Sequence, residues 1–219
     1  MSQSTALWYA SRATGVVSLP LLSLVLILGM LVNGQGRLPG LPRFAVTGLH
    51  RNLSLLAVAF VAIHVATAIA DPYVTIGLAG AVIPFASAYK PFWLGLGAVS
   101  LDLAAALIAT SLLRARIGRR VWRGIHWLAY AAWPLAIGHS LGSSTDLRAG
   151  VLRDVLIGSA LAVGAAAVWR VSRAARQVPR AQRAAGILAG PPRGGRSRRG
   201  GPLAGQRLPP GNLAEGGHR

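Results

Sequence analysis

Apolar positions in this chain gather into long unbroken runs, not into the alternation of strands or the one-sided stripes of soluble helices. Five runs stand out, at residues 7–32, 47–70, 92–113, 121–141 and 151–169. A hydrocarbon core of roughly 30 Å takes about 20 helical residues to cross, so each run predicts a membrane-spanning helix. The fold class predicted is all-α, a polytopic bundle of about five transmembrane helices. Pro20 lies inside the first run and predicts a bend, which membrane helices tolerate. A Gly/Pro-rich loop, "NGQGRLPGLPR", closes that run, and Asp71-Pro72 stops the second. The connection from Tyr73 to Pro91 is semi-apolar, contains Pro84 and is short for a span, which predicts an interfacial or re-entrant segment.

From about Gln177 the pattern changes. Gly, Pro and Arg take over and hydrophobic periodicity stops, so this stretch cannot bury enough apolar surface to fold. Two regions are expected: a membrane domain at 1–170 and a disordered, basic cytoplasmic tail at 171–219.

Composition narrows the chemistry. Apolar residues make up 53% of the 219, and mean hydropathy is positive. Cysteine is absent, which excludes disulfides, thiolate zinc sites and iron–sulfur clusters with four cysteine ligands. The net charge of +18 suggests nucleic acid until its distribution is seen. Arg114, Arg116, Arg119, Arg120 and Arg123 share one short loop, and many others lie in the tail. Cytoplasmic loops retain Lys and Arg, so topology explains the charge and no nucleic-acid partner is needed. Arg37, Arg43 and Arg51 mark the loop after the first run as cytoplasmic too. The connections after the second and fourth runs hold fewer cations, Lys90, Arg148 and Arg153, beside Asp71, Asp146 and Asp154. A multi-pass protein of the cell membrane, N-terminus outside and C-terminus cytoplasmic, satisfies all of this. The first residues lack the basic region and cleavage site of a signal peptide, so the first run is expected to stay as a helix. The tail's charge suits anionic lipid headgroups.

Four of the five histidines lie inside predicted spans; His218 belongs to the tail. The second span carries His50 and His64 and the fourth carries His126 and His139, separated by 14 and 13 residues. Either separation is roughly 20 Å along a helix axis. The two spans run in the same direction, so His50 is level with His126 and His64 with His139. Fourteen residues is close to a whole number of turns, whereas thirteen splays His126 and His139 apart on an ideal helix. Pro134 lies between them and can alter the twist.

A lone intramembrane histidine is accounted for by a hydrogen bond between helices. Two level pairs call for more. Zinc and copper sites use three or four clustered ligands, and neither pair has a cysteine or nearby carboxylate to complete one. Two axial imidazoles suit haem iron, and the pairs predict two haems stacked across the bilayer.

The paired His-x13-His and His-x12-His helices resemble the ferric reductase-like transmembrane domain, a superfamily that includes ferric reductases and NADPH oxidases. It also includes the haem-binding subunit of a bacterial periplasmic methionine sulfoxide reductase system. "WYASRATG", "GLHRNLSLLAVAFVAIHV", "SAYKPFWLGLGAVSLDL" and "HWLAYAAWPLAIGHSLGSSTD" are similar to small actinobacterial members without attached domains, and the likeness covers residues 7–170. It implies two b-type haems and electron transfer across the membrane. His50 and His126 would then ligate the cytoplasmic-side haem, and His64 and His139 the outer one. Larger members often have six spans and a flavin or nicotinamide domain. Five spans are read here, with no flavin or NAD(P)H site in the chain. The donor is then a separate flavoprotein, a quinol or a soluble reductant, and the outer acceptor is unassigned.

Haem propionates are anionic, so nearby cations are candidate partners. Arg51 and Arg123 flank the cytoplasmic ligands, while Arg12 and Lys90 belong near the outer ones; the alternative is that they face headgroups or water. Asp102, in mid-span, is expected to be protonated or paired inside the bundle, as a proton or quinone site or as a structural hydrogen bond. Trp127, Tyr130 and Trp133 either pack on porphyrin or pack the bundle. The competing function is a non-haem transporter or assembly partner whose histidines bind ions or hold helices together. A third reading is a haem-bearing anchor subunit that is inert without its partner.

Overall fold

The structure, a computed structural model, describes residues 3–33, 42–72, 74–144 and 150–189. The chain divides into two units, Met1–Pro179 and Arg180–Arg219. Of the second, residues 180–189 are described and are helical.

Eight helices are present among the described residues: α1 (Gln3–Asn33), α2 (Arg43–Ala70), α3 (Gly77–Val82), α4 (Pro91–Leu112), α5 (Arg114–Ile117), α6 (Arg119–His126), α7 (Ala129–Ser143) and α8 (Gly150–Ala189). Four are long and apolar enough to cross a membrane, over Thr5–Val32, Arg43–Ala70, Pro91–Leu112 and Gly150–Arg176. A multi-pass membrane protein follows from those lengths and compositions.

The polar residues of these helices satisfy themselves locally. Thr14, Ser18 and Ser23 in α1 each donate a hydroxyl to the carbonyl four residues back. Ser54 and Thr67 do the same in α2. This lets hydroxyls enter a medium that offers no water. α1 runs through Pro20 without interruption. α2 stops at Asp71, whose backbone is extended because the following Pro72 disfavours the helical region there.

The expected fourth span is the main departure. Its sequence forms two pieces, α6 and α7, with Trp127 and Leu128 between them. The amides of Trp127, Leu128, Tyr130 and Ala131 each reach the carbonyl three residues back, and Ala132 returns to a four-residue bond with Leu128. That stretch is 3₁₀-like, tighter and longer per residue than an α-helix. Gly124 weakens the helix just before it, and Pro134 has no amide to give the Tyr130 carbonyl just after it. The segment Tyr73–Pro91 carries the short α3, and Phe85 from its far end lies against Gly95 of α4. α8 continues well past Trp169, where a tail was expected, because its Ala- and Arg-rich sequence favours helix. Arg37, Asp146, Arg148, Asn33–Pro42 loop residues 34–41 and the remainder of the tail from residue 190, including His218, lie outside the described residues.

Two helical hairpins form the bundle, α1 along α2 and α4 along α7, with α1 also touching α7. α8 packs side chains against α1. Leu19 packs with Leu156, Ile137 and Leu152, while Leu26, Met30 and Val163 pack with Tyr130 and Trp133. Trp133 donates its indole N–H to Ser23 Oγ at 2.9 Å. α2 makes no comparable backbone packing with α6 or α7, the helices that hold the other two histidines. Leu55, Leu112, Leu161 and Val168 are exposed apolar side chains, as lipid-facing positions require.

Candidate paired-histidine sites

The 13-residue spacing is resolved by the 3₁₀ stretch. Four steps at about 120° and about 2.0 Å, with nine at about 100° and about 1.5 Å, turn the chain about 1380° and raise it about 21.5 Å. Fourteen α-helical residues turn about 1400° and rise about 21 Å. His126 and His139 are therefore displaced from one another almost as His50 and His64 are. The break in the helix brings the two rails into register.

One pair of rings comes together at the level expected. The imidazole rings of His64 and His139 have centroids 6.3 Å apart, with planes at 73°. A metal held by both imidazoles, with bonds of about 2 Å each, would keep the two ring centroids about 6 Å apart. The spacing at the His64/His139 level leaves room for a metal to be held by both rings.

Three rings are held by the same device. His64 Nδ1–H donates to the Ser11 carbonyl at 2.7 Å, His50 Nδ1–H to Val25 at 3.1 Å, and His139 Nδ1–H to Trp93 at 2.9 Å. A carbonyl only accepts, so the proton sits on Nδ1 and Nε2 keeps its lone pair for a ligand. Four residues after each carbonyl comes a glycine: Gly15, Gly29 and Gly97. A Cβ there would lie 2.8 Å from His64 Nδ1, 3.4 Å from His50 Cε1 and 2.6 Å from His139 Nδ1. The glycines open the neighbouring helix so that each ring reaches a carbonyl. Such a partner fixes the ring and raises its basicity as a ligand. These carbonyls and glycines were missed in the sequence, although Gly15 and Gly29 repeat the 14-residue interval of His50 and His64.

The predicted cations separate into two groups. Arg12 donates to Ser144 Oγ at 3.4 Å and lies over Trp8, next in sequence to the carbonyl that holds His64. Lys90 donates to the carbonyls of Gly142 and Ser143, closing the end of α7 just beyond His139. Both stand at the His64/His139 end. Arg51 and Arg123 are exposed near His50 and His126. Arg170, not singled out in the sequence, reaches the Met30 carbonyl beside Gly29 and lies over the Trp127 and Tyr130 rings.

Other residues resolve differently. Tyr130 and Trp133 pack in the core with α1 and α8, which is the bundle-packing alternative. Asp102 is exposed in the middle of α4. Among the described residues no three metal-ligating side chains converge, so no zinc-type cluster is built there.

The model of the family described as "Ferric reductase like transmembrane component" matches residues 14–137. The chain belongs to that family. Its transmembrane domains generally bind haem, and membership makes this ferric reductase-like chain a membrane electron-transfer component. The matched region takes in His50, His64 and His126 and ends two residues before His139. No curated protein and no solved structure matches the chain.

Proposed function

We propose that this chain is a di-haem b-type transmembrane cytochrome, with His50 and His126 ligating one haem and His64 and His139 the other. The observation that carries this reading is the His64/His139 pair, 6.3 Å apart between centroids, with both Nδ1 atoms engaged on carbonyls. Haem b held between such pairs supplies a one-electron iron couple at each of two depths in a medium that excludes charge. The chain's own part is to hold three of the four rings on carbonyls through Nδ1, which keeps their Nε2 atoms for a ligand. Arg12 and Lys90 at one end, and Arg51, Arg123 and Arg170 at the other, are cations for propionates.

By the arginine distribution, the His50/His126 end faces the cytoplasm and the His64/His139 end faces outward. The donor is a separate flavoprotein or a quinol, and the acceptor lies on the outer side. This chain acts as a subunit that depends on both. A reduced-minus-oxidised spectrum of the purified protein tests the proposal. Sharp b-type Soret and α bands are expected, and a featureless difference spectrum with no extractable porphyrin would return the chain to the transporter reading.

A further inference from the structure

The four histidines are not held alike. Fourteen residues separate the two carbonyls of α1, Ser11 and Val25, and the two glycines that follow them, Gly15 and Gly29. The same step along α4 leads from Trp93 to Leu107, and from Gly97 to Ser111. Where the fourth glycine belongs there is a side chain. His126 Nδ1 is correspondingly buried with no hydrogen-bond partner among the described residues.

Trp122 takes up that place. Its indole stacks on the His126 ring, with centroids 4.9 Å apart and planes at 29°. One helical turn separates the two on α6, and Trp122 Nε1–H donates to Ser111 Oγ at 3.4 Å. The hydroxyl that displaces the glycine thus anchors the ring that replaces the carbonyl.

We infer that Trp122 is a positioning residue for His126, substituting a stacked face for a hydrogen bond, and that this makes the His50/His126 level the one of higher reduction potential. The inference rests on the di-haem reading. A carbonyl accepting from Nδ1–H raises imidazole basicity, and a more basic axial ligand favours the more highly charged, oxidised metal. Both ligands of the His64/His139 level have that support, whereas only His50 has it at the other. The stack orients His126 without adding basicity, so an electron rests preferentially at the His50/His126 level.

The test is a spectroelectrochemical titration of the full chain in detergent or nanodiscs, with haem counted first by pyridine haemochrome. A count of zero refutes the di-haem reading; a count of two with the wrong potentials refutes the inference. The wild-type chain is expected to titrate in two steps, and His64→Ala, which spares the His50/His126 level, keeps the higher one. Trp122→Ala, which releases the His126 ring to turn its Nδ1–H toward an acceptor, is expected to lower that step alone by at least tenfold in the reduced-to-oxidised ratio, about 59 mV for one electron. Trp122→Phe, which retains an aromatic face, restores it. Should Trp122→Ala not accumulate, Trp122→Leu and Trp122→Phe give the same comparison. A single unresolved step, a higher step that disappears in His64→Ala, or Trp122 variants that move both steps or neither would overturn the proposal.

Discussion

Replacing Gly97 with alanine tests the glycine–carbonyl device most sharply. The added Cβ would stand 2.6 Å from His139 Nδ1, 2.8 Å from Cε1 and 2.9 Å from Cγ. Carbon–carbon contacts are comfortable at about 3.5–4.0 Å, so the ring must retreat by about 1 Å. That movement takes Nδ1 out of reach of the Trp93 carbonyl, now 2.9 Å away. Loss of such a supporting partner typically lowers metal affinity about 10- to 100-fold, equivalent to about 1.4–2.8 kcal/mol. Alanine is otherwise the better helix former by about 1 kcal/mol, so intrinsic propensity works against the expected loss. Gly15→Ala, with its Cβ 2.8 Å from His64 Nδ1, is expected to behave like Gly97→Ala. Gly29→Ala, 3.4 Å from His50 Cε1, requires only a small shift. Gly158→Ala meets nothing within 4 Å and serves as the control. Haem retained per chain after dilution and size exclusion should therefore rank Gly158→Ala and Gly29→Ala well above Gly15→Ala and Gly97→Ala. Equal retention in all four would refute the argument.

Three further outcomes follow from the same coordinates. Ser23→Ala leaves the Trp133 indole N–H without its acceptor inside the core; it is expected to lower stability by about 1 kcal/mol, measured by thermal unfolding in detergent, with haem content unchanged. Straightening the broken helix with Gly124→Ala and Pro134→Leu together removes about 80° of twist between His126 and His139. One haem should be lost per chain, and full retention would show that the 3₁₀ stretch does not set the register. Asp102→Leu replaces an exposed carboxyl in mid-helix and should favour insertion by about 3 kcal/mol, read in a glycosylation-based insertion assay, without altering the haem spectrum. A spectral change would place Asp102 in the machinery.

The spans were legible because length and hydropathy alone decide what crosses a bilayer, and α1, α2, α4 and the start of α8 follow from them. The meeting of His64 with His139 was legible through the two intervals. What the sequence hid was the mechanism that reconciles 14 with 13, since 3₁₀ bonding after Gly124 and before Pro134 is a backbone outcome with no residue of its own. Backbone carbonyls are equally silent: Ser11, Val25 and Trp93 have nothing in common as residue types. Their trace lies four positions on, in Gly15, Gly29 and Gly97, and is readable only once the neighbouring helices are known.

Haem stoichiometry across the histidine series tests the central claim most directly. Pyridine haemochrome quantification of the purified chain should give two haem b per polypeptide. His50→Ala and His126→Ala should each remove one, and their combination no more than that one. His64→Ala and His139→Ala should remove the other, and a variant from each pair together should leave none. No haem in the wild-type chain, or pairs that segregate as His50 with His64 and His126 with His139, would contradict the account.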